Sequence, residues 1–331
     1  MTGGLDPDAR GNDSQVPDKS LGFLSIYGKR GSHPTGIKIM SWAALWAIIF
    51  WGISFIATKV ALREVHPFVL LTLRYAVGSL LLLLVQYQRD KTFLKQFSCR
   101  DWVHIFLLAI VGVSGLGLLQ AYGLIYTSAI NTGWIIAINP ILITVAARFF
   151  LKETITGRKI VGILLGFSGI FLIITKGVFS LSLFRSGSTF GDLLVFASAM
   201  AWTTFTVGGK GFLSRFNPLS SITAIMLSGF LVLLPMSLLK GGWENLFHLS
   251  PLTWMGVLFL GIFCSGLGYL FWYSALEKKD SGSVGMYLYL EPLVTLIGAA
   301  LFLGEPIYWV TLVGGAMTLA GVYLATSRSR K

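Results

Sequence analysis

Apolar runs of about twenty residues, parted by short polar connections, recur along this chain. They cover roughly 39–61, 67–87, 102–125, 130–150, 158–175, 190–210, 218–239, 252–276, 283–303 and 307–326. About twenty apolar residues wound as a helix cross the hydrocarbon core of a bilayer. Barrel strands would alternate in polarity and be half as long. The pattern therefore predicts an all-α membrane protein of ten transmembrane helices. Residues 1–38, rich in Gly, Asp, Ser and Pro and without an apolar run or a signal peptide, read as a disordered cytoplasmic tail.

The helices are written twice. "WGISFIATKVALREVHPFVLLTLRYAVG" and "WTTFTVGGKGFLSRFNPLSSITAIMLSG" superpose at a shift of 151, matching Trp51 to Trp202, Lys59 to Lys210, Pro67 to Pro218 and Gly78 to Gly229. "GWIIAINPILITVAARFFLKE" and "GMYLYLEPLVTLIGAALFLGE" superpose at 152, matching Pro140 to Pro292 and Glu153 to Glu305. The repeats span 39–176 and 190–326, with a basic cytoplasmic C-terminus at 327–331. Five helices per repeat is an odd number, so the second copy enters the membrane from the opposite side. Inverted repeats of this kind are the signature of secondary transporters, whose substrate site lies near the midplane.

Composition agrees: 54% of the residues are hydrophobic and 12% charged, and mean hydropathy is +0.75. The net charge of +12 is a matter of topology. Most basic residues fall in the tail and in the connections on its side; Lys59, Arg63, Lys176, Arg185 and Lys240 fall on the other. The positive-inside rule places both termini in the cytoplasm, and nucleic acid is not an expected partner. Two cysteines, Cys99 and Cys264, and four scattered histidines offer no disulfide framework or metal site. No cofactor is expected.

Polar residues inside the spans are the candidates for function, because a charge at that depth costs several kcal/mol unless it faces the bundle interior. Glu291 is the only glutamate deep within a span, and Arg74 the only basic residue well inside one; Asp101 and Asp192 fall at span starts. Ser283, Tyr287 and Glu291 share one face of the ninth helix, and Asn131, Ile135 and Asn139 the matching face of the fourth. One repeat thus carries an amide where the other carries a carboxylate. Pro140 and Pro292 should kink these helices and leave the carbonyls of Ile136 and Leu288 free. Glu291 either binds a substrate amino group, takes up a proton, or is satisfied by a neighbouring hydroxyl in a purely mechanical kink. The face Trp51, Phe55, Lys59 and its copy Trp202, Thr206, Lys210 add cavity candidates, as do Gln120, Tyr122, Tyr269 and Trp272. Tyr126 and Tyr273, near helix ends, read better as interfacial anchors. Arg74 either binds a substrate carboxylate or locks the second helix. Glu153 and Glu305 are expected to satisfy the free amides of the next helix. The glycines Gly162, Gly166, Gly169, Gly314, Gly315 and Gly321 suit close helix contact, within the bundle or in a homodimer through helices 5 and 10.

These motifs resemble the drug/metabolite transporter superfamily, specifically its ten-helix exporters with two EamA domains. The resemblance covers 39–326 and rests on "WGISFIATKVAL", "LRYAVGSLLLL", "LQAYGLIYTSAINTGWIIAINPILITVAARFFLKE", "YLYLEPLVTLIGAALFLGEP" and "GGAMTLAGVYL". Its most specific element is a proline followed thirteen residues later by glutamate, once per repeat. It implies export of metabolites or amino acids across a plasma membrane (the bacterial inner membrane), through a cavity bounded by helices 1, 3, 4, 6, 8 and 9. Small four-helix relatives use a carboxylate of their first helix for proton coupling; here that helix has none.

Other classes fare worse. Paired intramembrane aspartates, HExxH and a phosphate-binding glycine loop are all missing from the sequence, so an enzyme or ATP-driven pump is not expected. A receptor or scaffold has no need of inverted repeats. A nucleotide-sugar or sugar-phosphate exchanger is the alternative within transport; its dianionic substrate would call for Arg74, Lys59 and Lys210 to face inward.

Overall fold

A computed structural model describes residues 42–150, 152, 155–178, 187–278 and 284–326. The expectations for Glu153, Ser283 and the two terminal segments lie outside the described residues. Ten helices are long and apolar enough to cross a membrane: α1 Trp42–Ala61, α2 Pro67–Arg89, α3 Cys99–Tyr126, α4 Ala129–Phe150, α5 Gly157–Thr175, α6 Gly187–Leu213, α7 Pro218–Lys240, α8 Pro251–Leu276, α9 Met286–Leu303 and α10 Trp309–Thr326. No strand occurs among the described residues.

Local sequence explains where the helices start. Pro67, Pro218 and Pro251 open α2, α7 and α8, where a missing N–H costs nothing. Ser128, Asn217 and Ser250 cap α4, α7 and α8 through their side-chain oxygens. Ser98 and Asp101 form a reciprocal capping box at α3, which explains a carboxylate at that span start. Arg215 also reaches Asp101 at 3.3 Å, but its side chain is 59% exposed. Ser98→Ala should therefore cost about 1 kcal/mol, and Arg215→Ala much less. Thermal unfolding of the two variants in detergent checks that order.

Contacts at helix ends agree with spans that alternate in direction. Glu64, between α1 and α2, accepts hydrogen bonds from the backbone N–H and hydroxyl of Ser250 at the start of α8, both 2.7 Å. Those bonds hold its carboxyl below the ordinary range. The most extensive helix pairs are α5 with α10, α3 with α6 and α1 with α8, and α2 packs on both α7 and α8. The first pair uses the glycine stripes. A Cβ on Gly162 would lie 2.6 Å from the Gly321 carbonyl, and one on Gly169 would lie 2.4 Å from that of Gly314. Gly315 instead abuts the Trp134 ring. Each stripe is thus filled from within the chain.

Two helices carry wide, π-type turns at matching places: Ile110–Gly115 in α3 and Phe259–Leu267 in α8. Such turns tend to mark functional positions. Ser114 and Ser265 sit within them at a repeat shift of 151. Ser114 donates to the Gly229 carbonyl of α7. Ser265 packs against Gly78 of α2, the repeat partner of Gly229.

Candidate functional site

The two proline helices are broken as the sequence suggests, and the breaks are asymmetric. In α4, residues Ala129–Ile136 end before a second segment, Asn139–Phe150. In α9, a tight 3-10 stretch, Met286–Leu290, gives way to an α-helix over Glu291–Leu303. Asn139 and Glu291, repeat partners, are therefore each the first residue of a half-helix, with proline next. Both lack a partner: the buried Oδ1 of Asn139 accepts no hydrogen bond, and the Glu291 carboxylate has neither hydrogen bond nor ion pair among the described residues. Thr295 donates to the Glu291 backbone carbonyl at 3.0 Å and to that of Gly52 at 2.9 Å. The neighbouring hydroxyl thus fastens the backbone of α9 to α1 and leaves the carboxylate unmet.

The half-helices cross close to α1. A Cβ on Gly52 would fall 2.8 Å from the Val294 side chain and 3.0 Å from the Glu291 carbonyl, and one on Gly133 2.9 Å from Thr295. These glycines let α1 lie against the backbone of α9, and α4 against its Thr295 side chain, beside Glu291.

Two expectations about this region need correction. The Leu288 carbonyl is not free, because the 3-10 winding lets the Glu291 N–H reach it three residues back. The same winding, about three residues per turn, removes the four-residue stacking assumed for Tyr287 and Glu291. Tyr287 is half-buried in that stretch.

The aromatic candidates divide. Trp51 donates through Nε1 to the Cys264 carbonyl at 3.1 Å, and its ring lies 5.4 Å from both Tyr269 and Trp272. These three form one cluster beside the wide turn of α8. Phe55 is buried, 3% exposed, in a separate core with Ile135 and Ile138. Trp202 is half-buried against Phe205. Thr206 is buried with its hydroxyl unpartnered. Gln120 and Tyr122 lie on opposite sides of α3, about 200° apart around the helix. Gln120 shares its side with buried Leu124 and Thr127. Tyr122 is half-buried with its ring 6.4 Å from that of Phe68, and it also borders, with Leu118, Tyr126 and Phe190, a groove of about 480 Å³. Tyr126 is exposed, as an interfacial anchor should be, but Tyr273 is 8% exposed and belongs to the core.

Arg74 donates through Nε to Ser265 at 2.9 Å and so ties α2 to the wide turn of α8. Ile225 holds its place in the second repeat, so this tie has no copy. Lys59 pairs with Glu305 at 3.0 Å. Glu305 does not cap the following helix, as expected; it crosses to the other repeat and accepts from the amides of Ala129 and Ile130 at the start of α4.

Asp192 is the residue that the sequence hid. As a sixth residue into α6 it looked like a span-end carboxylate, yet it is 0% exposed. The Thr127 hydroxyl donates to it, as does the Asn131 amide at 3.3 Å. Asn131 is thereby engaged with α6 rather than available to a cavity. The available signal was the α3–α4 turn, "TSAIN", whose polar side chains need partners at helix-end depth.

A family model described as the EamA-like transporter family matches residues 38–175 and again 189–327. An uncharacterized transporter of Archaeoglobus fulgidus is 35% identical over 285 residues, covering 86% of this chain and 96% of that protein. The uncharacterized transporter YyaM of Bacillus subtilis is 28% identical, covering 84% and 90%. A probable terminal-alkyne amino-acid exporter of Streptantibioticus cattleyicolor is 27% identical, covering 87% and 93%. A crystal structure, 20% identical, superposes with a TM-score of 0.61 over 86% of this chain and 95% of that one, a likeness of fold. Ten membrane-length helices, an internal duplication and a family model that fits each half lead to one conclusion: the chain belongs to the EamA-like transporter family and carries its domain twice.

Proposed function

We propose that this transporter exports small zwitterionic or cationic metabolites, amino acids foremost, by alternating access around Glu291 and Asn139. One observation carries the reading: an unpartnered carboxylate opens the half-helix of α9, with an unpartnered amide at the matching place of α4. A carboxylate at this depth binds an ammonium group or a proton far better than it tolerates isolation. An amide at the pseudo-symmetric place offers a neutral partner for the rest of a zwitterion. The aromatic cluster of Trp51, Tyr269 and Trp272 supplies an apolar wall with polar edges. Support also comes from the relative named as a probable exporter of an amino acid.

The dianion-exchanger alternative loses ground on the same geometry. Lys59 is neutralised by Glu305, and Arg74 donates to Ser265. In this reading the termini are cytoplasmic and the chain lies in the plasma membrane, so the end of the bundle bearing Lys59 is extracellular.

Mass spectrometry of the medium from cells overproducing the protein tests the proposal. An amino acid or related compound should accumulate outside above the level of an empty-vector control. Accumulation of nucleotide sugars alone would replace the reading with its alternative.

A further inference from the structure

Five helix ends meet at the end of the bundle bearing Lys59, and one short turn holds them. Thr127 and Ser128 connect α3 to α4. The Lys59 ammonium, from α1, donates to the Thr127 carbonyl at 2.5 Å and to Glu305, just beyond α9. Glu305 in turn accepts from the Ala129 and Ile130 amides at 2.9 and 3.0 Å. Asp192 of α6 accepts from the Thr127 hydroxyl and the Asn131 amide. The turn is thus gripped from three sides by charged side chains on α1, α6 and the end of α9.

We propose that Lys59, Glu305 and Asp192 form the latch that closes this mouth of the transport path. The inference rests on the alternating-access reading above and names the gate that the reading requires. Three features of the geometry support it. First, the latched helices include those beside the site: α1, α4 and α9 touch at Glu291, α3 packs on α1 and α6 on α4, and Gln120 lies on the side of α3 that carries buried Leu124. Second, the bonds are charge-assisted, and one of them places a carboxylate on the positive end of a helix; such bonds are strong when dry. Third, every partner is one that water can replace: a lysine, two carboxylates, a hydroxyl, an amide and backbone groups. The latch therefore holds the mouth while water is excluded and gives way once the mouth is wet, as a gate between two discrete states must. Lys210 of the second repeat and Glu153 of the first occupy the matching sequence positions. Glu153 lies outside the described residues, so only the latch at Lys59 is assigned.

The test reads accessibility rather than transport, so it needs no substrate and can fail independently of the substrate assignment. Gln120→Cys, about 10 Å below the turn at 1.5 Å per residue, serves as the reporter. Cys264 is buried and Cys99 opens α3 at the other end of the bundle, and the parent protein without the reporter gives the background. A membrane-impermeant maleimide is applied to oriented vesicles from either side. Lys59→Met, Glu305→Gln and Asp192→Asn should each raise the rate of labelling from the Lys59 side at least about tenfold, which corresponds to about 1.4 kcal/mol, because each removes a hydrogen bond to a charged group. Lys59→Arg, which keeps the pair, should label at the parent rate. Variants are compared only as monodisperse protein, which separates gating from misfolding. Unchanged labelling in all three neutralising variants, or an equal rise from both sides, would overturn the latch.

Discussion

Glu291→Gln is expected to lower transport by roughly 10- to 150-fold at equal membrane abundance. The substitution keeps shape and hydrogen-bonding capacity while removing the charge. A hydrogen bond to a charged group is worth about 1.5–3 kcal/mol, and each 1.4 kcal/mol is about a factor of ten. The loss should be large because no residue described nearby can replace the carboxylate. Thr295, the adjacent hydroxyl, is already engaged with backbone carbonyls. Flux in proteoliposomes, measured over a range of pH, separates the two roles of Glu291. If it carries a proton, the residual flux of the glutamine variant loses its pH dependence; if it binds an ammonium group, the apparent affinity falls and pH dependence persists. Full rate with unaltered pH dependence in this variant would assign the carboxylate to structure.

The largest effect on stability is expected at the α5–α10 contact. Gly169→Leu must place a side chain where a Cβ alone would lie 2.4 Å from the Gly314 carbonyl and 2.6 Å from Thr318 Oγ1. The obstacle is backbone, which cannot rotate aside, so the helices must separate. Overpacking typically costs about 1–3 kcal/mol, and this site should lie at or beyond the top of that range. Gly208→Ala is the control, because a Cβ there meets nothing within 4 Å. Melting of the purified proteins in detergent should fall by several degrees for the first and stay within error for the second. Similar melting for both would mean that the α5–α10 seam does not hold the bundle together.

Most of the fold was legible from the sequence. Continuous apolar runs give helices that span a bilayer, and the constant offset between halves gives the inversion. The prolines announce both broken helices. The manner of breaking was not legible: nothing in "MYLYL" distinguishes a 3-10 stretch from an α-helical one, since the choice depends on how α9 packs on α1. The wide turns of α3 and α8 were hidden for the same reason, as an inserted residue leaves hydrophobic content unchanged. Among site residues, Glu291 and Asn139 stood out because charge and amide are rare at their depth. Asp192 did not, because it lies one and a half turns inside a helix whose start the hydropathy pattern places too late. Glu305 reads in sequence as a cap for its neighbouring helix, yet its contacts cross to the other repeat, and a single chain read linearly does not reveal crossings. Tyr122 and Gln120 could have been separated beforehand, since two residues apart on a helix point in opposite directions.

In the proposed function, zwitterionic or cationic metabolites are recognised through the unpartnered Glu291 carboxylate, with the Asn139 amide at the matching place of the other repeat. Counterflow with purified protein in liposomes tests it most directly. Vesicles are loaded in turn with amino acids, with nucleotide sugars or with buffer, and uptake of the matching labelled compound is followed. Saturable counterflow is expected for one or more amino acids, lost in Glu291→Gln, and none for nucleotide sugars. Counterflow confined to nucleotide sugars, or amino-acid counterflow undiminished in the glutamine variant, would contradict it.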